Sequence, residues 1–329
     1  AQAADGSADR FITFAFKNAV HALASEWKPA LLAGKLDFAK PAHLLSVVRE
    51  GGGNEVASVV RKKLADPALS TARKLILAEL LAQIGNSTDA ALALELASIH
   101  PTILHALVNA ARERNLQAPA NAAELLNVPL KTTATRAGAV QLIGAWKLNA
   151  HAEFIRALAT GQTEPLAVRV AAAVALGQLN IPQAVETLAS LVTVNGAADL
   201  RVAALGSLAK HDVARAAQLT ARLSGQVKPD ELGPVLAALL QRNAGADAMA
   251  GALGQAEVSA DTAKLILRWL NAAGRVEPKL NLVLNKLIGV QSIAPVYSAD
   301  FVGALAKEAL AKGDAVNGKK VFQLPLASC

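Results

Sequence analysis

Apolar residues recur along this chain at spacings of three and four, which is the period of an amphipathic helix. The pattern is clearest in four segments that share an arginine at their second position. These segments are ARKLILAELL (72–81), TRAGAVQLIG (135–144), VRVAAAVALG (168–177) and LRVAALGSLA (200–209). Each is followed by a second apolar-periodic stretch, as at 181–192 and 214–223, with turn-forming residues between the two. The pattern therefore predicts a repeating unit of helix, short turn and helix.

The positions of the repeated arginines give the length of this unit. Separations of 63, 33 and 32 residues lie between Arg73, Arg136, Arg169 and Arg201. A unit of about 32 residues explains these values if one copy, near Leu104, lacks the arginine. The segment at 100–115 keeps the helical spacing at that place. Because a unit this short cannot bury its own apolar face, we expect neighbouring units to stack.

The composition also favours an all-α fold. The chain is 53% hydrophobic but only 3% aromatic, so alanine, leucine and valine supply its apolar surface. Small and straight-chain apolar residues favour helix, whereas a sheet protein uses more β-branched and aromatic residues. Helical spacing predicts further helices at 11–32, where they would cap the array, and at 231–240 and 262–273. Pro278 and Pro295 are expected to mark loops.

One of the repeated units is similar to a known type of repeat. The segment TEPLAVRVAAAVALGQLNIPQAVETLASLV spans 163–192, and its distinctive positions are Val168-Arg169, Ala172-Ala173 and Ala175-Leu176-Gly177. With these residues it resembles the short HEAT repeats of the phycobilisome-lyase type. The resemblance implies a right-handed α-solenoid of HEAT-like helix pairs, which we expect to occupy residues 1–312.

The C-terminal residues GDAVNGKKVFQLPLASC (313–329) include the only cysteine of the chain. Asp314 is placed to cap a helix, and Gly318 and Phe322 share one face of that helix because they are four residues apart. The string GDAVNGKKVF is similar to the opening of class I cytochromes c, where the glycine lets two helices cross and the aromatic residue packs near the haem. The resemblance implies that 313–329 is the N-terminal helix of a truncated cytochrome c-like domain.

The wider arrangement resembles one group of modular bacterial proteins. The spacer QLPLAS before Cys329 and the segment 9–35 are both similar to planctomycete and verrucomicrobial haem-binding dehydrogenase-like proteins. Proteins of that group join a β-propeller dehydrogenase-like domain, a HEAT-repeat region and a C-terminal haem domain. The resemblance implies an electron-transfer protein that is periplasmic or otherwise exported, in which the other domains of the polypeptide are the partners of this region.

Covalent attachment of haem c needs two thioethers and an axial histidine, in the order Cys-x-x-Cys-His. Residues 1–329 supply only the first cysteine, so we expect no cofactor in them and haem c in a downstream continuation. In that case Cys329 is the first haem thioether, and Gly318 and Phe322 are the other candidate cofactor-binding residues. The alternative interpretation is an amphipathic terminal helix with a chance cysteine.

The net charge of +7 raises the question of an anionic partner. The densest basic runs are Arg61-Lys62-Lys63, Arg112 with Arg114, and Lys319-Lys320. These runs form no stripe and are not interleaved with aromatic residues, so solvated helix faces are favoured over a nucleic-acid groove. Docking to an acidic protein partner also fits the charge.

The repeated arginines have two interpretations. They could form a basic ladder on successive helices for an anionic partner. They could instead bond to acidic side chains or carbonyl groups of the neighbouring unit. We favour this structural role.

No other motif points to catalysis, to a metal or to a membrane. The six histidines include no pair at the i, i+4 spacing of helical metal ligands, and neither a nucleophile elbow nor a phosphate loop occurs. No apolar run reaches the ~18–20 residues of a membrane span, since Arg169 interrupts the richest run. We therefore expect a non-catalytic scaffold, without a nucleic-acid partner, that positions dehydrogenase-like and haem modules. A free-standing HEAT adaptor for a protein partner is the second hypothesis, and a basic HEAT-like nucleic-acid-binding protein is the third.

Overall fold

The computed structural model describes residues 9–38, 40–97, 100–179, 181–193, 195–290 and 298–322. Within these ranges the regular structure is helical throughout, and no strand occurs. The all-α prediction is therefore confirmed for this part of the chain. Among the helices it contains, none combines the length and the apolar character needed to cross a membrane.

The chain divides into two compact units, Ala1–Val258 and Ser259–Cys329. The predicted division between residues 312 and 313 stays a prediction. The helices of the first unit are α1 (Arg10–Ala22), α2 (Ala24–Leu32), α3 (Pro41–Gly51), α4 (Ala57–Leu64), α5 (Thr71–Ile84), α6 (Ser87–Ala97), α7 (Pro101–Glu113), α8 (Ala122–Leu125), α9 (Asn127–Lys131), α10 (Thr133–Ala145), α11 (Ala152–Thr160), α12 (Leu166–Leu176), α13 (Ala184–Leu191), α14 (Ala198–His211), α15 (Val213–Ser224), α16 (Pro229–Leu240) and α17 (Gly245–Gln255). Those of the second unit are α18 (Ala260–Ala272), α19 (Pro278–Ile288), α20 (Ala299–Lys312) and α21 (Ala315–Phe322).

The predicted repeat helices are present. The four arginine segments lie in α5, α10, α12 and α14, and the stretches that follow the last two form α13 and α15. The segment that lacks the arginine forms α7, which packs between α5 and α10. The copy of the repeat that lacks the arginine is therefore helical, as the sequence predicts.

Helices of the first unit pack in the order of the chain. The first helices of successive pairs are α3, α5, α7, α10, α12, α14 and α16, and each contacts the next one in this series. The second helices α4, α6, α11, α13 and α15 each contact the first helix of the following pair. Fully buried leucines and isoleucines such as Leu104, Ile143 and Leu176 fill the space between neighbours. Each such side chain contributes about 1.5–3 kcal/mol through removal from water.

Small residues set the spacing between α10, α12 and α14. A Cβ atom added at Gly144 would lie 2.8 Å from Cα of Ala175, and one added at Gly177 would lie 2.5 Å from Cβ of Ser207. Neither position has room for a side chain. Glycine at these two points therefore lets consecutive first helices approach closely.

The N-terminal stretch predicted to be helical forms α1 and α2. Helix α1 begins after Asp9, whose carboxylate accepts a hydrogen bond of 2.7 Å from the backbone N–H of Phe11. The indole N–H of Trp27 in α2 donates to the carbonyl oxygen of Val20 in α1 at 2.9 Å. Helix α1 also packs against α3, so the stretch lies at the start of the helix series.

In the second unit α18 and α19 pack together. Pro278 is the first residue of α19, so the prediction that it marks a loop is wrong. A proline is accommodated in the first turn of a helix because its missing N–H would have no partner there anyway. Pro295, the other predicted loop residue, lies outside the described residues.

Candidate functional site

The repeated arginine at position 201 is buried, with only 2% of its surface exposed. Its Nε donates to the carbonyl oxygen of Thr193 at 2.8 Å, and one terminal nitrogen donates to that of Gly196 at 2.8 Å. The other terminal nitrogen donates to Oε2 of Glu231 at 2.5 Å. The guanidinium group of α14 therefore connects the turn after α13 to the start of α16.

Two other repeated arginines make related contacts. Arg136 donates from Nε to the carbonyl oxygen of Leu130 at 2.7 Å and from Nη1 to Glu164 at 2.9 Å. Arg169 donates from Nε to the carbonyl oxygen of Ala159 at 3.3 Å. The structural role that we favoured for the repeated arginine is thus confirmed at these positions.

Arg73 is the exception among the four. Its side chain is exposed on α5 and makes no hydrogen bond or ion pair with any residue that the structure describes. The four arginines therefore do not form a basic ladder. Three of them direct their charge into contacts between successive segments, and one faces solvent.

A second set of ion pairs joins the second helices. Arg61 in α4 holds the fully buried carboxylate of Asp89 in α6 through bonds of 2.7 and 3.2 Å. This hydrogen-bonded contact raises the pKa of Arg61. Arg215 in α15 donates to Glu186 in α13, with one bond of 2.7 Å, and lowers the pKa of that carboxyl group. Charged contacts therefore cross from pair to pair along both sets of helices.

The candidate haem-attachment residues are described only in part. Asp314 caps α21 as predicted, since its carboxylate accepts a hydrogen bond of 2.9 Å from the backbone N–H of Val316. Gly318 lies in α21, and a Cβ atom added there would meet no atom within 4 Å. Phe322 ends the helix, but its side chain lies outside the described part of the chain, as does Cys329. The haem-attachment interpretation stays a prediction.

The histidines make local contacts. His105 bonds to the side-chain amide of Asn109 at 3.2 Å, and His211 donates from Nε2 to the carbonyl oxygen of Leu176 at 3.3 Å. Over the ranges that the structure describes, no group of three or more histidine, cysteine, aspartate or glutamate side chains is placed to hold a metal ion.

An open surface cleft of about 650 Å³ lies between the first helix pairs. Leu31 and Leu36 contribute apolar lining, and Asp37 and Lys63 lie on its wall. Nζ of Lys63 donates to the carboxylate of Asp37 at 2.7 Å, and this hydrogen bond lowers the pKa of Asp37. The two charges therefore neutralise each other within the cleft.

A basic cluster that the sequence did not predict lies elsewhere on the first unit. Lys210 is in the last turn of α14, Arg242 follows the end of α16, and Arg112 is in the last turn of α7. Partial desolvation lowers the pKa of Lys210, and the positive charges of Arg242 and Arg112 lower it further. The charges of the two arginines, which are far from Lys210 in the sequence, therefore act on Lys210 in the folded chain. We call Arg112, Lys210 and Arg242 the basic cluster.

No carboxylate among the described residues pairs with the basic cluster. The side chains of Arg112, Lys210 and Arg242 form neither an ion pair nor a hydrogen bond with any of these residues. The Nε of Arg242 is buried without a hydrogen-bond partner. Asp212 follows α14 directly, but its carboxylate caps α15 by accepting a bond of 2.9 Å from the backbone N–H of Arg215.

The basic cluster lies where the C-terminal ends of successive first helices meet. Nε1 of Trp146, after α10, donates to the carbonyl oxygen of Leu116, after α7, at 2.8 Å. The bond from His211 to Leu176 joins the corresponding ends of α14 and α12. We call the surface formed by the C-terminal ends of α7, α10, α12, α14 and α16 the C-terminal edge. The residues of the basic cluster lie on different helices, so their charges can act on one another only through the packing of these helices.

We expect Lys210→Gln to raise the melting temperature at neutral pH by about 1–3 °C. The pKa of Lys210 is lowered, so the folded chain binds this proton less tightly than the unfolded chain does. The protonated lysine therefore opposes folding at neutral pH, and this opposition fades as the pH rises from the lowered pKa towards the ordinary one. Solvent screening keeps the gain below about 1 kcal/mol, because Lys210 is exposed.

Thermal unfolding at low and high ionic strength checks this expectation. The gain should shrink with salt, since salt screens the repulsion that the substitution removes. Lys307→Gln, at an exposed lysine of α20, is the control and should leave the melting temperature unchanged. A melting temperature for Lys210→Gln at or below that of the unsubstituted chain would show that the three cations do not repel one another.

Comparisons with known proteins did not identify a family. No protein-family model matches the chain, and no curated protein matches it. The likeness to HEAT repeats and to cytochromes c therefore rests on the residues and motifs of this sequence alone.

Proposed function

We propose that this chain is a non-catalytic scaffold, a right-handed α-solenoid of HEAT-like helix pairs, that positions redox modules of an electron-transfer protein. The observation that supports the scaffold is the repeated bonding between successive pairs. Arg136 with Glu164, and Arg201 with Glu231, connect one first helix to the segment that begins the next unit. At these two of the four repeat positions, the arginine makes the same kind of contact.

Such bonding suits a spacer between modules. In a stack of repeats, each unit contacts its neighbours, and the stability and stiffness of the array come from the interfaces between units. An arginine that bonds both to a backbone carbonyl and to the next unit's carboxylate fixes two units against each other. The attached modules would then be held at a constant separation.

The redox part of the proposal is supported by residues 313–329. Asp314 caps a helix that contains Gly318 and ends at Phe322, in the order that a cytochrome c-like opening requires. Residues 1–329 contain one of the two cysteines needed to attach haem c, so they do not form a haem site by themselves. The proposed modules are a haem domain, of which residues 313–329 are the N-terminal helix, and a dehydrogenase-like domain, in a periplasmic or otherwise exported protein.

The encoded sequence after Cys329 tests the redox part first. We expect the continuation x-x-Cys-His, which completes the attachment motif. When that longer chain is exported by a host with haem c maturation enzymes, it should give a haem-staining band that survives denaturing electrophoresis. Cys329→Ser should weaken or abolish the band, whereas Ser328→Ala should keep it.

A stop codon or an unrelated sequence after Cys329 would contradict the redox part of the proposal but would not affect the scaffold part. The redox part would also be contradicted if the longer chain carried no haem while a known cytochrome c matured in the same host. The second candidate function, a free-standing adaptor for a protein partner, would then be preferred. The observation that favours it is the basic cluster on the C-terminal edge, which has no acidic partner among the described residues.

A further inference from the structure

A polar groove crosses the second helices of the last three pairs in the first unit. One cleft, of about 350 Å³, is lined by residues of α13 and α15, and another, of about 470 Å³, is lined by residues of α15, of α17 and of the segment after each. Gln218 and Arg222 of α15 line both clefts, so the two adjoin. We call them together the amide groove, because Gln218, Gln226 and Gln255 lie in its lining.

Glutamine is concentrated in this groove. Three of the seven residues that line the wider cleft are glutamines, although the whole chain has only 13 in 329 residues. All three are exposed, and their side-chain amides bond to no described residue. Their donors and acceptors are therefore open to a ligand.

The charges of the groove are neutralised at one end only. At the α13 end, Arg215 donates to the carboxylate of Glu186, with one bond of 2.7 Å. Arg222 lies in both clefts and Glu257 lies in the wider one, yet neither forms an ion pair or a side-chain hydrogen bond with a described residue. The groove thus offers one cation and one carboxylate that are separate from each other.

Primary amides suit the backbone of an extended polypeptide. Each glutamine amide has both N–H donors and a carbonyl acceptor. An extended backbone presents N–H and C=O groups that need partners when they leave water. Helices that pack side by side lie about 8–10 Å apart, so a groove across three of them is about 20 Å long. About six extended residues span that length.

We propose that the amide groove binds an extended segment of a partner polypeptide. The segment places an acidic side chain on Arg222 and a basic side chain, two residues away, on Glu257, since alternate side chains of an extended chain point to the same side. The proposal rests on the scaffold function, because a scaffold acts through the partners that it holds, but it does not depend on haem. It adds the chemistry of the partner and the place where it binds.

The lining fits other occupants less well. No aromatic residue lines either cleft, and Leu219 is the one large apolar side chain among their lining residues that the structure describes. An amphipathic helix docks through several bulky apolar anchors, for which this lining has no counterpart. A single-stranded nucleic acid needs aromatic faces and a basic track, whereas here Arg222 is the one cation without a partner among the described lining residues.

Fluorescence anisotropy at low ionic strength is the measurement. The probe is a fluorescein-labelled peptide of alanine and serine with one glutamate and, two residues later, one lysine. We expect saturable binding, which Arg222→Gln should weaken about fivefold and Gln218→Ala/Gln255→Ala about tenfold. A peptide with N-methyl groups at alternate backbone nitrogens should bind about tenfold more weakly, because those N–H donors are lost.

Arg268→Gln and Gln162→Ala/Gln241→Ala are the matched controls, at exposed positions outside the groove, and should change the affinity by about twofold at most. Loss of folding does not confuse the result, since the substituted groove side chains are exposed and every variant should melt like the unsubstituted chain.

Four outcomes would overturn the proposal. They are no saturable binding of the peptide, equal weakening by groove and control variants, unchanged affinity for the N-methylated peptide, and tighter binding of a labelled single-stranded DNA that depends on Arg222. Failure here would leave the haem test unaffected, and failure of the haem test would leave this one unaffected.

Discussion

We expect Arg201→Ala to lower the free energy of unfolding of the first unit by about 3 kcal/mol. The substitution leaves the carboxylate of Glu231 without its partner and removes the donor from the carbonyl oxygens of Thr193 and Gly196. Arg201 is only 2% exposed, so water cannot easily replace the lost bonds. Urea unfolding followed by circular dichroism measures the change, with the midpoint and the slope both reported.

Arg73→Ala is the matched control for that substitution. It occupies the same position of the repeat, but its side chain is exposed and makes no bond with a described residue, so the change should stay within about 0.5 kcal/mol. Arg201→Lys should recover only part of the loss, because an ammonium group cannot reach the three acceptors in the planar arrangement of a guanidinium. Equal costs for Arg201→Ala and Arg73→Ala would mean that the bonds between helix pairs do not hold the unit together.

Arg73 and Arg201 show what the sequence pattern does not predict, which is the contact that each arginine makes. The spacing of apolar residues was sufficient to predict the helices, and the positions of the repeated arginines predicted the length of the unit and the helix that lacks the arginine. The pattern could not separate Arg73 from Arg201, because both occupy the same place in the repeat. What differs is the residue that the neighbouring unit offers as a partner, and the apolar pattern does not include that residue.

The acidic partners of these arginines could have been predicted. Glu164 lies 28 residues after Arg136, Glu231 lies 30 after Arg201, and Asp89 lies 28 after Arg61. Opposite charges slightly less than one unit apart are a signal of contact between neighbouring units. A search for that spacing would have assigned Arg136 and Arg201 to a structural role directly.

The residues of the basic cluster show no regular spacing in the sequence from which their interaction could be predicted. Arg112, Lys210 and Arg242 belong to different units, and only Lys210 and Arg242 are one unit apart. The sequence therefore suggested that the basic residues are scattered. The charges of Arg112 and Arg242 act on Lys210 because the first helices pack in the order α7, α10, α12, α14 and α16, and local spacing in the sequence does not encode this packing.

Close packing of the first helices makes Gly177→Ala the second large expected effect. We expect it to lower the free energy of unfolding by about 2 kcal/mol. An added Cβ would lie 2.5 Å from Cβ and 2.9 Å from the backbone Cα of Ser207, so α14 must move away from α12 as a whole. A flexible side chain could rotate out of the way, but the backbone of a packed helix cannot. Chemical unfolding of the two chains under the same conditions measures the difference.

Gly206→Ala provides the control with the opposite expected sign. Gly206 lies inside α14, and an added Cβ would rest 3.8 Å from Cβ of Ala238 in α16, at an ordinary contact distance. Because glycine inside a helix is less stable than alanine, this substitution should raise the stability by about 0.5–1 kcal/mol. If Gly177→Ala were as harmless as Gly206→Ala, the α12–α14 interface would tolerate a wider separation. The close approach of the first helices would then not be what fixes their separation in the first unit.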